Sequence, residues 1–138
     1  MIIKYGFTGT RNGLNQIQQN EIINLLKNDL TNGNTIEVHH GDCVGADCDF
    51  HVLCEKLNTN INANIKIVIH PPNIKTLRAY CKSDHIEKEK KYLERNIDIV
   101  DQTNILIACP LSKNEELRSG TWMTIRNARK KNKKVIIF

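Results

Sequence analysis

Three short segments hold most of the residue types that could do chemistry. They are Thr8-Gly9-Thr10-Arg11, His39-His40-Gly41-Asp42-Cys43-Val44-Gly45-Ala46-Asp47 and Ser119-Gly120-Thr121. Glycine lets a backbone approach a ligand closely or adopt positive φ. The free N–H groups at a helix start favour an anion placed before them. Such turns suit a phosphate. Gly41 to Asp47 reads as a strand-to-helix turn that could cradle one, so Gly45→Val is expected to remove binding from an otherwise folded protein. Ser119-Gly120-Thr121 opens a helix, and its hydroxyls can add hydrogen bonds. Both turns also have a purely structural reading, because glycine turns and Ser or Thr N-caps are common. Neither is a Walker motif, and neither has the dinucleotide G-x-G-x-x-G spacing.

Further candidates surround these turns. Arg11 and Arg95 are the cations expected at a phosphate, with Arg78 and Lys82 behind them, since a guanidinium clamps phosphate bidentately and stacks on bases. His39 and His40 end a strand, where alternation turns one to the core and, on this reading, His40 to the ligand. Asp42 either orients a ribose hydroxyl or bonds its own turn. Asp47 either caps the next helix or points at the ligand. Tyr80 and Trp122 could each wall a base pocket or pack. Cys43 lies near a helix start, where a thiol can be activated, but no motif supports a nucleophile there. The five cysteines are odd in number and lack the two-residue gap of zinc or dithiol motifs, which reads as free thiols in a reducing compartment. No metal and no cofactor are expected.

The elements that must position these residues alternate. Ile2 to Phe7 reads as a buried strand, followed by a helix with Asn15 as N-cap and Ile17, Ile22, Leu25, Leu26 and Leu30 at helical spacing. Thr35 to His39 is a second strand, and the helix after it buries Val52, Leu53 and Leu57. Ile65 to His70 is a third strand, closed by Pro71-Pro72. Asn73 to Asp84 reads as irregular and is followed by a charged helix carrying Tyr92, Leu93, Ile97 and Val100. Asn104 to Cys109, the helix Gly120 to Lys131 and the strand Lys133 to Phe138 complete the chain. Strands alternating with helices imply parallel pairing and right-handed crossovers. The expected fold is a doubly wound, mainly parallel Rossmann-like sheet of about five strands with helices on both faces, one domain over residues 1–138. In such sheets ligands bind beyond the carboxyl ends of the strands, which is where the three segments fall.

A net charge of +5 owes much to Arg126, Arg129, Lys130, Lys131, Lys133 and Lys134, late in the chain. That cluster reads as a solvated helix end, which the macrodipole favours. No apolar run is long enough to cross a bilayer, and the apolar start is too short for a signal-peptide core. A cytoplasmic protein is expected.

Gly6-Phe7-Thr8-Gly9-Thr10-Arg11, His39 to Asp47, Tyr92-Leu93-Glu94-Arg95-Asn96 and Ser119-Gly120-Thr121-Trp122 occur in that order over nearly the whole chain. Together they resemble the SLOG superfamily, the Rossmann-like group that includes the LOG phosphoribohydrolases and the DprA domain, and within it the small stand-alone members. The resemblance implies a nucleotide or nucleotide-derived ligand across the Gly41–Asp47 and Gly120–Thr121 turns, contacting Thr8, Gly9, Thr10, Arg11, His40, Gly41, Asp42, Gly45, Ala46, Asp47, Arg95, Asn96, Ser119, Gly120 and Thr121. It also implies a homodimer or higher homo-oligomer. LOG enzymes carry a G-T-x-x-E helix start, and here Thr124 stands at the position of the catalytic Glu. The expected function is therefore a sensor, carrier or sequestering module. The alternative is an N-glycosidic hydrolase or transferase acting on nucleoside monophosphates, with Asp42, Glu94 and Arg95 as candidate catalytic residues. Nucleic acid ranks as the least expected partner, because aromatics are only 5% of residues and the basic cluster lies late in the last helix.

Overall fold

The computed structural model describes residues 1–138. Six strands, β1 (Ile2–Gly9), β2 (Thr35–His40), β3 (Lys66–Ile69), β4 (His85–Ile86), β5 (Ile105–Cys109) and β6 (Lys134–Ile137), form one sheet in the order β4-β3-β2-β1-β5-β6. Every pairing is parallel. Four helices make the crossovers: α1 (Gln16–Thr31), α2 (Ala46–Asn60), α3 (Tyr92–Asp101) and α4 (Gly120–Lys130). None is long and apolar enough to cross a membrane.

The doubly wound Rossmann-like architecture is the one expected, with one strand more than the pattern showed. β4 is two exposed residues beside Val68 and Ile69, too short to carry a period of its own. The charged stretch before Tyr92 is extended rather than helical. Glu87 N–H donates to the Ile69 carbonyl, and Lys90 and Pro71–Asn73 exchange backbone bonds, so the chain here lies along the sheet edge. Helix α3 starts only at Tyr92, and a single 3-10 turn, Lys75–Leu77, breaks the stretch before it.

Alternation along the strands splits the core in two. Tyr5, Phe7, Ile36, Val38, Ile67, Ile69, Ile107 and Cys109 face α1 and α2, where the Phe7 and Phe50 rings stack at 4.3 Å. Leu106 and Ala108 face α3 and α4, meeting Val100, Trp122, Ile125 and Ala128. Trp122 is thus a core residue, with its indole N–H on the Ser112 carbonyl at 3.0 Å. At α1, Asn15 caps the helix in a reciprocal box with Gln18.

The loop after β1 and the start of α2 cross in contact. Ala46 N–H donates to the Thr10 carbonyl at 2.9 Å, and Gly45 has φ +99°. A Cβ on Gly45 would collide with the Arg11 backbone. Gly45→Val is therefore expected to strain the fold itself, which corrects the expectation, drawn from the turn alone, of a loss confined to binding. Gly33 has φ +82° but no neighbour within 4 Å, so Gly33→Ala should lose only the roughly 1–2 kcal/mol of left-handed backbone. Gly45→Val should lose clearly more in urea unfolding. Equal losses would show that the loop crossing yields freely.

Candidate functional site

The chain leaves β1 for β2 on one side, while β5 lies on the other. The carboxyl ends of β1 and β5 therefore form the switch point at which such sheets hold ligands. An open cleft of about 340 Å³ lies there. Gly9, Thr10 and Arg11 line it from the β1 loop, and Ser119, Gly120 and Thr121 line it from the start of α4. Ser119 Oγ accepts from Trp122 N–H at 3.2 Å. The N–H groups of Gly120 and Thr121, the first two helical positions, have no intrahelical acceptor. Arg11 is exposed, and none of the ion pairs uses it.

A small inner hollow of about 20 Å³ adjoins the cleft, room for roughly one water. Thr8, Gly41, Asp47, Arg95 and Asn96 line it together with the β1 loop. Tyr92 lines both spaces. Its role was legible only as the i−3 neighbour of Arg95 on one helix face, since its spacing also fits core packing.

Arg95 is 3% exposed. Its Nη1 donates to the carbonyls of Gly41 and His70, the latter at 3.2 Å, and its guanidinium lies 4.9 Å from the Tyr92 ring centroid. It bridges neither Glu94 nor Asp98. A Cβ on Gly41 would run into the guanidinium, which explains the glycine. Burial pushes the Asp47 carboxyl up to about 6, against the pull of Arg95. That carboxylate accepts from the N–H groups of Cys43, at 3.1 Å, and Gly41. Val44 N–H donates to the Leu77 carbonyl at 3.0 Å. The donors of the Gly41–Asp47 turn are therefore largely taken up within the protein.

Several expected ligand contacts face protein instead. His40 is wholly buried, with Nδ1 accepting from Asp42 N–H at 3.0 Å and Nε2 on His51 Nδ1 at 2.8 Å. Asp42 is also wholly buried, and its carboxylate accepts from Arg78 Nε at 3.1 Å and from Cys81 N–H at 2.9 Å. Gly45 and Ala46 sit beneath the Arg11 loop. Glu94 is exposed and lines neither space. Thr124 is buried, with its hydroxyl on the Gly120 carbonyl at 3.0 Å. Burial lowers the Cys43 thiol's acidity, the opposite of an activated nucleophile.

The histidines form two directed chains. Asp42 N–H fixes His40 as an Nε2 donor to His51, whose Nε2 meets Glu55. On the other face His39 Nε2 meets Glu37 at 2.7 Å, and its Nδ1 meets His70 Nε2 at 2.8 Å. The ring-to-ring bonds of both chains are consistent with every ring neutral, and His51 Nε2 lies beside Glu55 without hydrogen-bond geometry.

No family model matches the chain, and no curated protein matches it in sequence. Among solved structures it resembles DNA processing protein A from Helicobacter pylori, described for its single-stranded DNA binding mode. The TM-score is 0.59 at 18% identity, over 98% of this chain and 64% of that one. The chain thus spans a little under two thirds of that protein's length, and the likeness is one of fold. It overturns the placing of nucleic acid as the least expected partner, because the same architecture serves a single-strand binder. A whole-chain count of aromatics was the wrong measure, since it ignores which rings reach the surface.

Burial holds His40 well below its ordinary value and also lowers His39, and it pushes His70 down to about 4. Between pH 6.5 and 4 the unfolded chain therefore binds histidine protons that the folded chain refuses. Stability should be full above about pH 6.5 and fall as pH drops, His70 alone accounting for roughly 3 kcal/mol. Asp47 runs the other way, from 3.8 unfolded to about 6 folded, and offsets part of the loss. Thermal melts from pH 7.5 to 4.5 should show a falling Tm, with a shallower slope in His70→Asn. A flat profile would contradict the neutral relays.

Proposed function

We propose that the switch-point cleft binds a nucleotide-type ligand by its phosphate. The observation that carries this reading is Arg11, exposed and in no ion pair, lining the same cleft as the free N–H groups of Gly120 and Thr121. A phosphate between them receives a charge-assisted bond from the guanidinium and neutral donors from α4, whose dipole favours negative charge. The Gly41–Asp47 turn contributes by positioning, because it carries the Arg11 loop and fixes Arg95. Asp47 already supplies that turn with an internal anion.

Glycosidic hydrolysis needs a carboxylate near the anomeric carbon. Thr124 is turned into its own helix, Asp42 is tied to residues 78–81, and Glu94 lies outside the cleft. The one carboxylate lining the cleft is Glu116, next to the α4 start; the binding module remains the reading carried by Arg11 and the free N–H groups. The fold likeness does favour a second form of the same reading, in which the nucleotide belongs to a single strand.

Arg11→Ala should weaken a nucleoside monophosphate about ten- to a hundredfold, the range of one charged hydrogen bond. Its Tm should hold, because the side chain is exposed and free. The matching nucleoside, lacking phosphate, should bind both proteins equally. Arg95→Ala should instead destabilise the fold by several kcal/mol, since it orphans two buried carbonyls. Calorimetric titration beside denaturant melts separates the two, and unchanged monophosphate affinity in Arg11→Ala would reject the cleft.

A further inference from the structure

We propose that Tyr80 is a base-stacking platform for a single strand of nucleic acid whose phosphates pass Arg11. The idea rests on the cleft reading for its phosphate end and on separate observations for the platform.

Tyr80 is 55% exposed, yet its backbone is held firmly at φ +57°, a conformation that side-chain-bearing residues rarely adopt. The anchor is Asp42. Its carbonyl accepts from Ala79 N–H at 2.7 Å, and its carboxylate takes Arg78 Nε and Cys81 N–H. Residues on both sides of Tyr80 are thus fastened to one wholly buried side chain. Cys43 pairs with Arg78 in an antiparallel bridge, and Val44 N–H bonds the Leu77 carbonyl. The Arg78 guanidinium lies 4.7 Å from the Tyr80 ring centroid and covers one face. A flexible tyrosine on a surface loop would need none of this.

The surroundings fit a polyanion. Arg11 and Lys75 enter no ion pair, whereas Arg78 is matched by Asp42. The surface between Arg11 and Tyr80 is continuous, because Gly45 packs on the Arg11 backbone, Val44 is exposed beside it, and residues 42–44 run against 77–79. A ring held outward over a guanidinium, with unpaired cations along one edge, is the combination that binds single strands: bases stack and phosphates pair. A mononucleotide in the cleft has no use for a second aromatic beyond Val44. Neutralising two phosphates would give a log–log salt slope of about −1.4.

The test uses labelled oligothymidylate of about twelve nucleotides, an abasic strand of equal length, and free thymidine monophosphate. Wild type should bind the base-bearing strand at least about tenfold tighter than the abasic one. Tyr80→Ala should erase that preference while leaving monophosphate affinity unchanged. Tyr80→Gly, which accepts positive φ without strain, should do the same, and Tyr80→Phe should keep the preference. A base preference that survives in Tyr80→Gly, or a wild type that does not distinguish the strands or binds neither, overturns the platform. If the platform fails while Arg11→Ala still loses the monophosphate, the cleft reading stands alone. If Arg11→Ala changes nothing while the Tyr80 effect holds, it is the cleft reading that fails. An oligouridylate run in parallel distinguishes RNA from DNA as the source of the strand.

Discussion

The buried guanidinium of Arg95 is the constraint on which the carboxyl edge depends. Removing such a charge from water costs several kcal/mol unless its donors are satisfied. Here the cost is offset by the carbonyls of Gly41 and His70, by the Tyr92 ring and by the nearby Asp47 carboxylate, with Nε alone left unpartnered. Those carbonyls end β2 and β3, and Arg95 belongs to α3, so one side chain ties three elements of the same edge. Gly41 must be glycine because the guanidinium lies against it, and Gly45 must be glycine because the Arg11 loop does. The shape of the cleft follows from these two close approaches.

A second buried group, Asp42, extends the same logic outward. It adopts φ +52° just beyond β2 and turns its carbonyl and carboxylate onto residues 78–81. Asp42 N–H also sets the tautomer of His40, and through it that of His51. The polar core beneath the edge is thus a connected network, paired except at His51 Nε2 and Arg95 Nε, and costly when any member is lost. A rigid edge in turn allows Arg11 and Tyr80 to be presented to solvent with little ordering left for a ligand to impose.

The division of labour among the glycine turns departs from what their composition suggests. The Gly41–Asp47 turn looks like an anion cradle, but Asp47 folds back onto its N–H groups. The free donors lie instead at Gly120 and Thr121, across the cleft from a cation that the protein leaves unpaired. A carboxylate within its own turn and an external phosphate compete for the same N–H groups, and the covalently attached anion has the lower entropic cost.

Local pattern determined a great deal of this protein. Strand and helix alternation, the Asn15 cap, the parallel sheet and the gathering of Thr8 to Arg11, Arg95 and Ser119 to Thr121 at one edge all follow from periodicity and turn chemistry. These features depend on neighbours in the chain, and a sequence displays neighbours directly. Strand β4 lay beyond that reach, because its two residues are ordered only by pairing with β3. The same holds for His40 and Asp42, whose residue types suit a ligand as well as a buried network. Their partners, His51, Arg78 and Cys81, lie 11 to 39 positions away, and only the packed fold decides whether a polar group meets water, ligand or another side chain.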